Sequence, residues 1–224
     1  MKLTFTSMKK GLLLGTCLAL SPAFAEAGLI FNVSLNTSQL AALYPSVSSY
    51  ALDFQLNDGD GTGTGNNTAL LSNFQFGGGA AVGTPTAFCS SNPSGGSCAG
   101  VSGDLTTGIT LSDTEAFNEF LQEFTPGSVL SFDVNLTTNL NVGLTPDWFS
   151  FSLTDIEATV FDVAASADID SADPVIQTHT VSSNGVDLTA QATNLSPLDV
   201  PEPASLALLG LGLVGLGIRW WRKT

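Results

Sequence analysis

Hydrophobic and polar residues alternate with a period of two along several stretches of the chain. Phe31, Val33 and Leu35 alternate with Asn32 and Ser34, and Tyr50, Leu52, Phe54 and Leu56 with Ala51, Asp53 and Gln55. Leu130, Phe132, Val134 and Leu136 alternate with Ser131, Asp133 and Asn135, and Phe149, Phe151 and Leu153 with Ser150 and Ser152. Successive side chains point to opposite faces of a strand, so each run predicts one buried face and one wet face, the mark of antiparallel sheets. Weaker runs near 69–76, 105–111, 157–164, 175–181 and 185–191 bring the total to about nine strands, and Gly, Asn and Asp between them predict turns. The predicted fold is all-β: an antiparallel two-sheet sandwich, jelly-roll-like.

One stretch has a different period. Ser112 and Glu115 form a capping box, and Phe117, Phe120, Leu121 and Phe124 follow at helical spacing until Pro126-Gly127 stops the run. This predicts one short helix. Glu115, Glu119 and Glu123 would lie four apart on another side of it, where like charges repel by a few tenths of a kcal/mol, roughly, per pair. They read as a solvated acidic face or a surface cation site.

Both ends carry apolar runs of another kind. Lys2, Lys9 and Lys10 precede Gly11 to Leu20, then Ala23-Phe24-Ala25. This is the layout of a secretory signal over residues 1–25, with Ala23 and Ala25 read by signal peptidase, cleavage after Ala25 and Ala27 as the second choice. Thr16 before Cys17 is bulkier than the small residue that lipoprotein processing prefers, so lipidation is set aside. At the other end Pro201-Glu202-Pro203 precedes Ala204 to Ile218, fifteen uncharged residues or about 22 Å of helix. Trp220 and Trp221 extend it to about 27 Å, close to a hydrocarbon core. With Arg219 snorkelling and Arg222 and Lys223 at a cytoplasmic interface, a transmembrane helix follows. The expected division is therefore a signal helix (1–25), a β-sandwich domain (26–198) and a tail (199–224).

Charge sharpens the picture. The 224 residues carry a net charge of −14, from twenty acidic and six basic residues. All six basic residues lie within ten positions of an end, and none occurs between residues 11 and 218. Such a body has no cations to displace phosphate counterions, which excludes nucleic-acid binding. Its carboxylates must stay solvated or meet a metal, because ion pairs are not available to them. Cys89 and Cys98 flank the Gly/Ser/Pro loop Ser90 to Ser97, and in an exported protein they predict a disulfide.

Asn57 to Asn67 is the best local candidate for chemistry. Counted from Asp58, oxygen-bearing residues fall at EF-hand positions one, three, five and seven with Gly63 sixth, but Ala69 stands where a bidentate Glu is required. Two readings remain: a looser Ca2+-binding turn using Asp58, Asp60 and Asn66, or a hairpin loop whose glycines supply positive φ. His179, the chain's one histidine, has no nucleophile motif beside it and reads as a plain strand residue. Trp148, with Tyr44 and Tyr50, reads either as a sugar-stacking platform or as a sheet-edge or core aromatic. The pairs Thr62/Thr64, Thr84/Thr86 and Thr178/Thr180 are too isolated to form an ice-binding or lattice-binding array.

The tail, in its order of Pro201-Glu202-Pro203, apolar helix and terminal Arg219, Arg222 and Lys223, resembles the PEP-CTERM sorting signal. The resemblance implies recognition by an exosortase, cleavage near the Pro-Glu-Pro motif and export in a bacterium that makes extracellular polysaccharide. The body resembles a group of exported β-rich PEP-CTERM proteins through Val33 to Leu40, Leu52-Asp53-Phe54-Gln55, Ser72-Asn73-Phe74 and Leu130-Ser131-Phe132-Asp133-Val134. These motifs carry fold, and no catalytic residue comes with them. The expected function is that of a non-enzymatic, exosortase-sorted surface or matrix protein that interacts with exopolysaccharide or a surface partner. The alternative is a secreted carbohydrate-active enzyme on the same fold, marked by a carboxylate pair in a cleft.

Overall fold

A computed structural model describes residues 29–40, 49–137, 145–155, 160–168, 176–183 and 186–195. The signal segment with Ala23 and Ala25, Tyr44, and the tail with Pro201, Glu202, Pro203, Arg219, Arg222 and Lys223 lie outside them. So do the two terminal helices expected from the sequence.

The described residues form two antiparallel sheets with almost no helix. The first sheet has seven strands. Edge to edge they are β14 (Thr180–Ser183), β15 (Val186–Asn194), β1 (Leu29–Leu35), β10 (Leu130–Leu136), β3 (Thr68–Gln75), β8 (Gly108–Ser112) and β7 (Val101–Asp104). The second has eight: β13 (Gln177–Thr178), β12 (Val160–Asp168), β11 (Trp148–Asp155), β2 (Tyr50–Asn57), β9 (Phe117–Thr125), β5 (Thr86–Cys89) and β6 (Asn92–Gly96), with β4 (Ala80–Ala81) also pairing β9.

The alternating runs do what their period requires. Phe31, Val33 and Leu35 of β1 and Leu130, Phe132, Val134 and Leu136 of β10 turn inward from the first sheet. Leu52, Phe54 and Leu56 of β2 and Phe149, Phe151 and Leu153 of β11 meet them from the second. The two layers join through aromatic rings. Phe54 stacks on Phe151 at 5.1 Å between centroids, and Phe132 meets both edge-on at 5.3 and 5.0 Å. Each such pair adds about 0.5–1.5 kcal/mol beyond the area it buries.

The short helix expected from Ser112 to Phe124 is overturned: Phe117–Thr125 is β9, the strand between β2 and β5. Its core-facing side chains are Asn118, Phe120, Gln122 and Phe124. Two polar residues on the inner face erase the alternation and leave the apolar positions at helical spacing. Both hydrogen-bond to backbone, and Asn118 Oδ1 has no partner among the described residues. Asn118 Nδ2 donates to Glu115 O at 2.7 Å, and Gln122 Oε1 accepts from Leu105 N at 2.9 Å. The capping-box glutamate instead accepts from Ser91 N and Ser91 Oγ, both at 2.6 Å.

The Gly/Ser/Pro stretch expected as a loop is in part β6, an edge strand hairpinned to β5. Edge strands tolerate Pro93, which has no N–H to pair. Cys89 and Cys98 are bonded as expected, with Cα atoms 5.9 Å apart.

Candidate functional site

Most of the described side chains on the outer face of the seven-stranded sheet are uncharged. Asn32 and Ser34 of β1, Ser131 of β10, and Thr189, Gln191 and Thr193 of β15 point outward, because their inward neighbours fill the core. Among the described side chains two carboxylates interrupt this face, Asp104 at the β7 edge and Asp133 of β10. Asp133 is held by two amides, accepting from Asn32 Nδ2 at 2.8 Å and from Asn73 Nδ2 at 2.6 Å. Asn73 takes φ +56° at the irregularity where β3 shifts register against β10, which swings its amide onto Asp133. Beside this face lies a pocket of about 350 Å3, lined by Ser34, Asn36, Ser128, Thr189 and Gln191 with Leu35 and Val129. Its polar groups are hydroxyls and amides, each able both to donate and to accept a hydrogen bond. Sequence reading missed this pocket, since β1, the turn before β10 and β15 are far apart along the chain.

At one end of the sandwich, buried acids organise three loops. Asp58 is 6% exposed, and its carboxylate accepts from Asp60 N at 3.1 Å, Thr64 N at 3.1 Å and Gly63 N. Asp60 turns to Thr62, with its Oδ1 2.9 Å from the backbone N and 2.5 Å from the hydroxyl. Asn66 Oδ1 lies 2.5 Å from Thr64 Oγ1. The three expected Ca2+ ligands are thus engaged by different loop donors. Among the described residues, no group of three or more His, Cys, Asp or Glu side chains is arranged to hold a metal ion.

Asp113 and Asp147, both buried, clasp Asn67 beneath that loop. Asn67 N donates to Asp113 Oδ1 at 3.0 Å and Asn67 Nδ2 to Asp147 Oδ2 at 2.8 Å, while Gly59 N donates to Asp147 Oδ1 at 2.9 Å. Burial pushes Asp113 up to about 6; its hydrogen bond to Asp147 adds to this, and the Asn67 N–H opposes it. A Cβ on Gly59 would lie 2.1 Å from Thr145 O, so only glycine allows the loop to come this close. Neither Asp113 nor Asp147 was singled out by the sequence: one sat inside an apparent helix cap and the other after a proline.

The second sheet hides another acid on its outer face. Asp53 of β2 is 2% exposed. Its Oδ2 accepts from Gln55 Nε2 at 3.1 Å, whereas Oδ1 has no hydrogen-bond partner among the described residues.

The aromatic and imidazole candidates separate. Tyr50 is a core residue with its ring 6.3 Å from Phe124, so it is no stacking platform. Trp148 is 39% exposed at the start of β11, level with Asn57 of β2 and Phe117 of β9. His179 is exposed and its Nε2 lies 3.2 Å from Ser166 Oγ.

Residues 199–223 match the family model described as the PEP-CTERM protein-sorting motif. That motif marks an exported protein, anchored transiently in the membrane and processed by an exosortase. No curated protein and no solved structure matches the chain.

Proposed function

We propose that this chain, delivered by its PEP-CTERM tail, is a non-catalytic cell-surface or matrix protein whose β-sandwich body holds extracellular polysaccharide. The observation that carries the reading is the uncharged hydroxyl-and-amide pocket on the seven-stranded sheet, formed by Ser34, Asn36, Ser128, Thr189 and Gln191. Sugar hydroxyls need partners that both donate and accept, and these side chains do both. The body has no Lys or Arg between residues 11 and 218, so an acidic polymer is repelled and a neutral one is favoured. An acidic glycan would bind only through bridging divalent cations.

We further infer a jelly-roll topology. The strand order supports it: β1–β10–β3–β8 faces β2–β9–β5–β6, with the chain crossing between sheets at most steps. The competing reading is a secreted carbohydrate-active enzyme, which needs two carboxyls within reach of a sugar. Asp53 and Glu119 sit on neighbouring strands, but the burial of Asp53 supports the non-catalytic reading.

A glycan array run with and without Ca2+, with released sugars assayed, tests the proposal. Retention of a neutral glycan, weakened in the double variant Thr189→Ala/Gln191→Ala, is the expected result. Release of sugar moves the protein to the enzyme class, and failure to retain any glycan overturns the reading. In pulse-chase, a mature form that keeps the apolar tail would reject exosortase processing.

A further inference from the structure

The outward side of β2 is as enclosed as its inward side around one position. Asp53 faces Leu121 of β9 on one flank and Ser152 of β11 on the other. Ser150, Ser152 and Thr154 of β11, Leu121 of β9 and Ala51 of β2 are all buried there. One carboxyl oxygen has Gln55 and the other has no partner among the described residues. Among the described residues, the charged groups facing this spot are Glu119 and Glu123, which flank Leu121 on β9, and Glu123 Oε1 accepts from Ser49 Oγ at 2.7 Å. Ser150, Ser152 and Thr154 of β11 bring no charge. His179 binds Ser166 on β12, two strands from β2. With no Lys or Arg between residues 11 and 218, no lysine or arginine of the body can offset a negative charge at Asp53.

We propose that Asp53 is a proton-binding site: the folded chain keeps this carboxyl neutral near neutral pH, so acidity stabilises the eight-stranded sheet and alkalinity weakens it. A buried carboxylate lacking both a cation and a full set of donors pays a large desolvation penalty, and the neutral acid avoids it. Burial first, and then the charge of Glu119, push the Asp53 carboxyl up to about 7, with only the Gln55 bond opposing them. Burial raises Glu119 as well. The folded-state value lies above the ordinary unfolded value of about 3.9. The stabilisation is therefore complete below about pH 4, is lost as pH rises toward 7, and changes little above that.

The test compares the full-length chain in mild detergent with its Asp53→Asn variant between pH 5 and 7. The wild-type folding equilibrium constant is expected to fall about sevenfold more per pH unit, averaged over that range, than that of the variant. Parallel pH profiles overturn the proposal. Should the variant fail to fold, the 13C carboxyl resonance of Asp53 in the wild type decides. A midpoint near pH 7, lowered by Glu119→Gln, supports the site, and a midpoint in the ordinary carboxylate range removes it.

Discussion

The loop end and the face of the eight-stranded sheet bury acids in the same cation-free body, yet they solve the charge problem in opposite ways. Asp58 accepts hydrogen bonds from three backbone N–H groups of its own loop. Asp53 lies on a strand whose N–H groups belong to the sheet ladder with β9 and β11, so it receives one side-chain amide and keeps a proton. The lesson is that an irregular turn can aim several donors at one carboxylate, whereas a regular strand cannot. Asp113 stands between the two, with a backbone donor from Asn67 and a carboxyl neighbour in Asp147.

The largest expected effect breaks the loop end. Asp58→Ala orphans three backbone N–H groups and should lower stability by about 3–5 kcal/mol in urea unfolding. A loss below about 1 kcal/mol would mean that the carboxylate does not organise the loop. On the sheet face the sign reverses. Relative to wild type, Asp53→Asn should gain about 2 kcal/mol as pH rises from 5 to 7, because the folded-state carboxyl is raised and only the wild type must give up its proton.

Replacing Cys89 and Cys98 by serine reopens a short loop and should cost about 2.5 kcal/mol. That cost should be independent of pH between 5 and 7; a changed pH slope would link the bridge to the titrating acids. The smallest effect concerns the Asn57–Asn67 loop. At equal ionic strength, Ca2+ should raise Tm no more than Mg2+ does, since Asp58, Asp60 and Asn66 already meet loop donors. A Ca2+-specific rise would place a cation there.

Much of the fold was legible in the residues. Alternation located the strands that carry Phe54, Phe132 and Phe151, because each of those runs puts its large apolar side chains on a single face. The pairing of Cys89 with Cys98 followed from their being the two cysteines left after export. β9 was misread because Asn118 and Gln122 face the core, and nothing local announces that the carbonyl of Glu115 and the N–H of Leu105 will meet them. The site was less legible. Ser34 and Gln191 line one pocket only because β1 pairs with β15. Asp147 matters only because Asn67, 80 positions away, donates to it.

By itself, the sequence determined the sorting tail, the cation-free body and the alternating strands, all properties read over a few residues or by counting. Tertiary structure alone decided which acids receive donors and which must hold a proton. Burial and hydrogen bonding depend on strands and loops brought together from distant parts of the chain, and in a body with no lysine or arginine between residues 11 and 218, those neighbours set the charge state of each buried carboxyl.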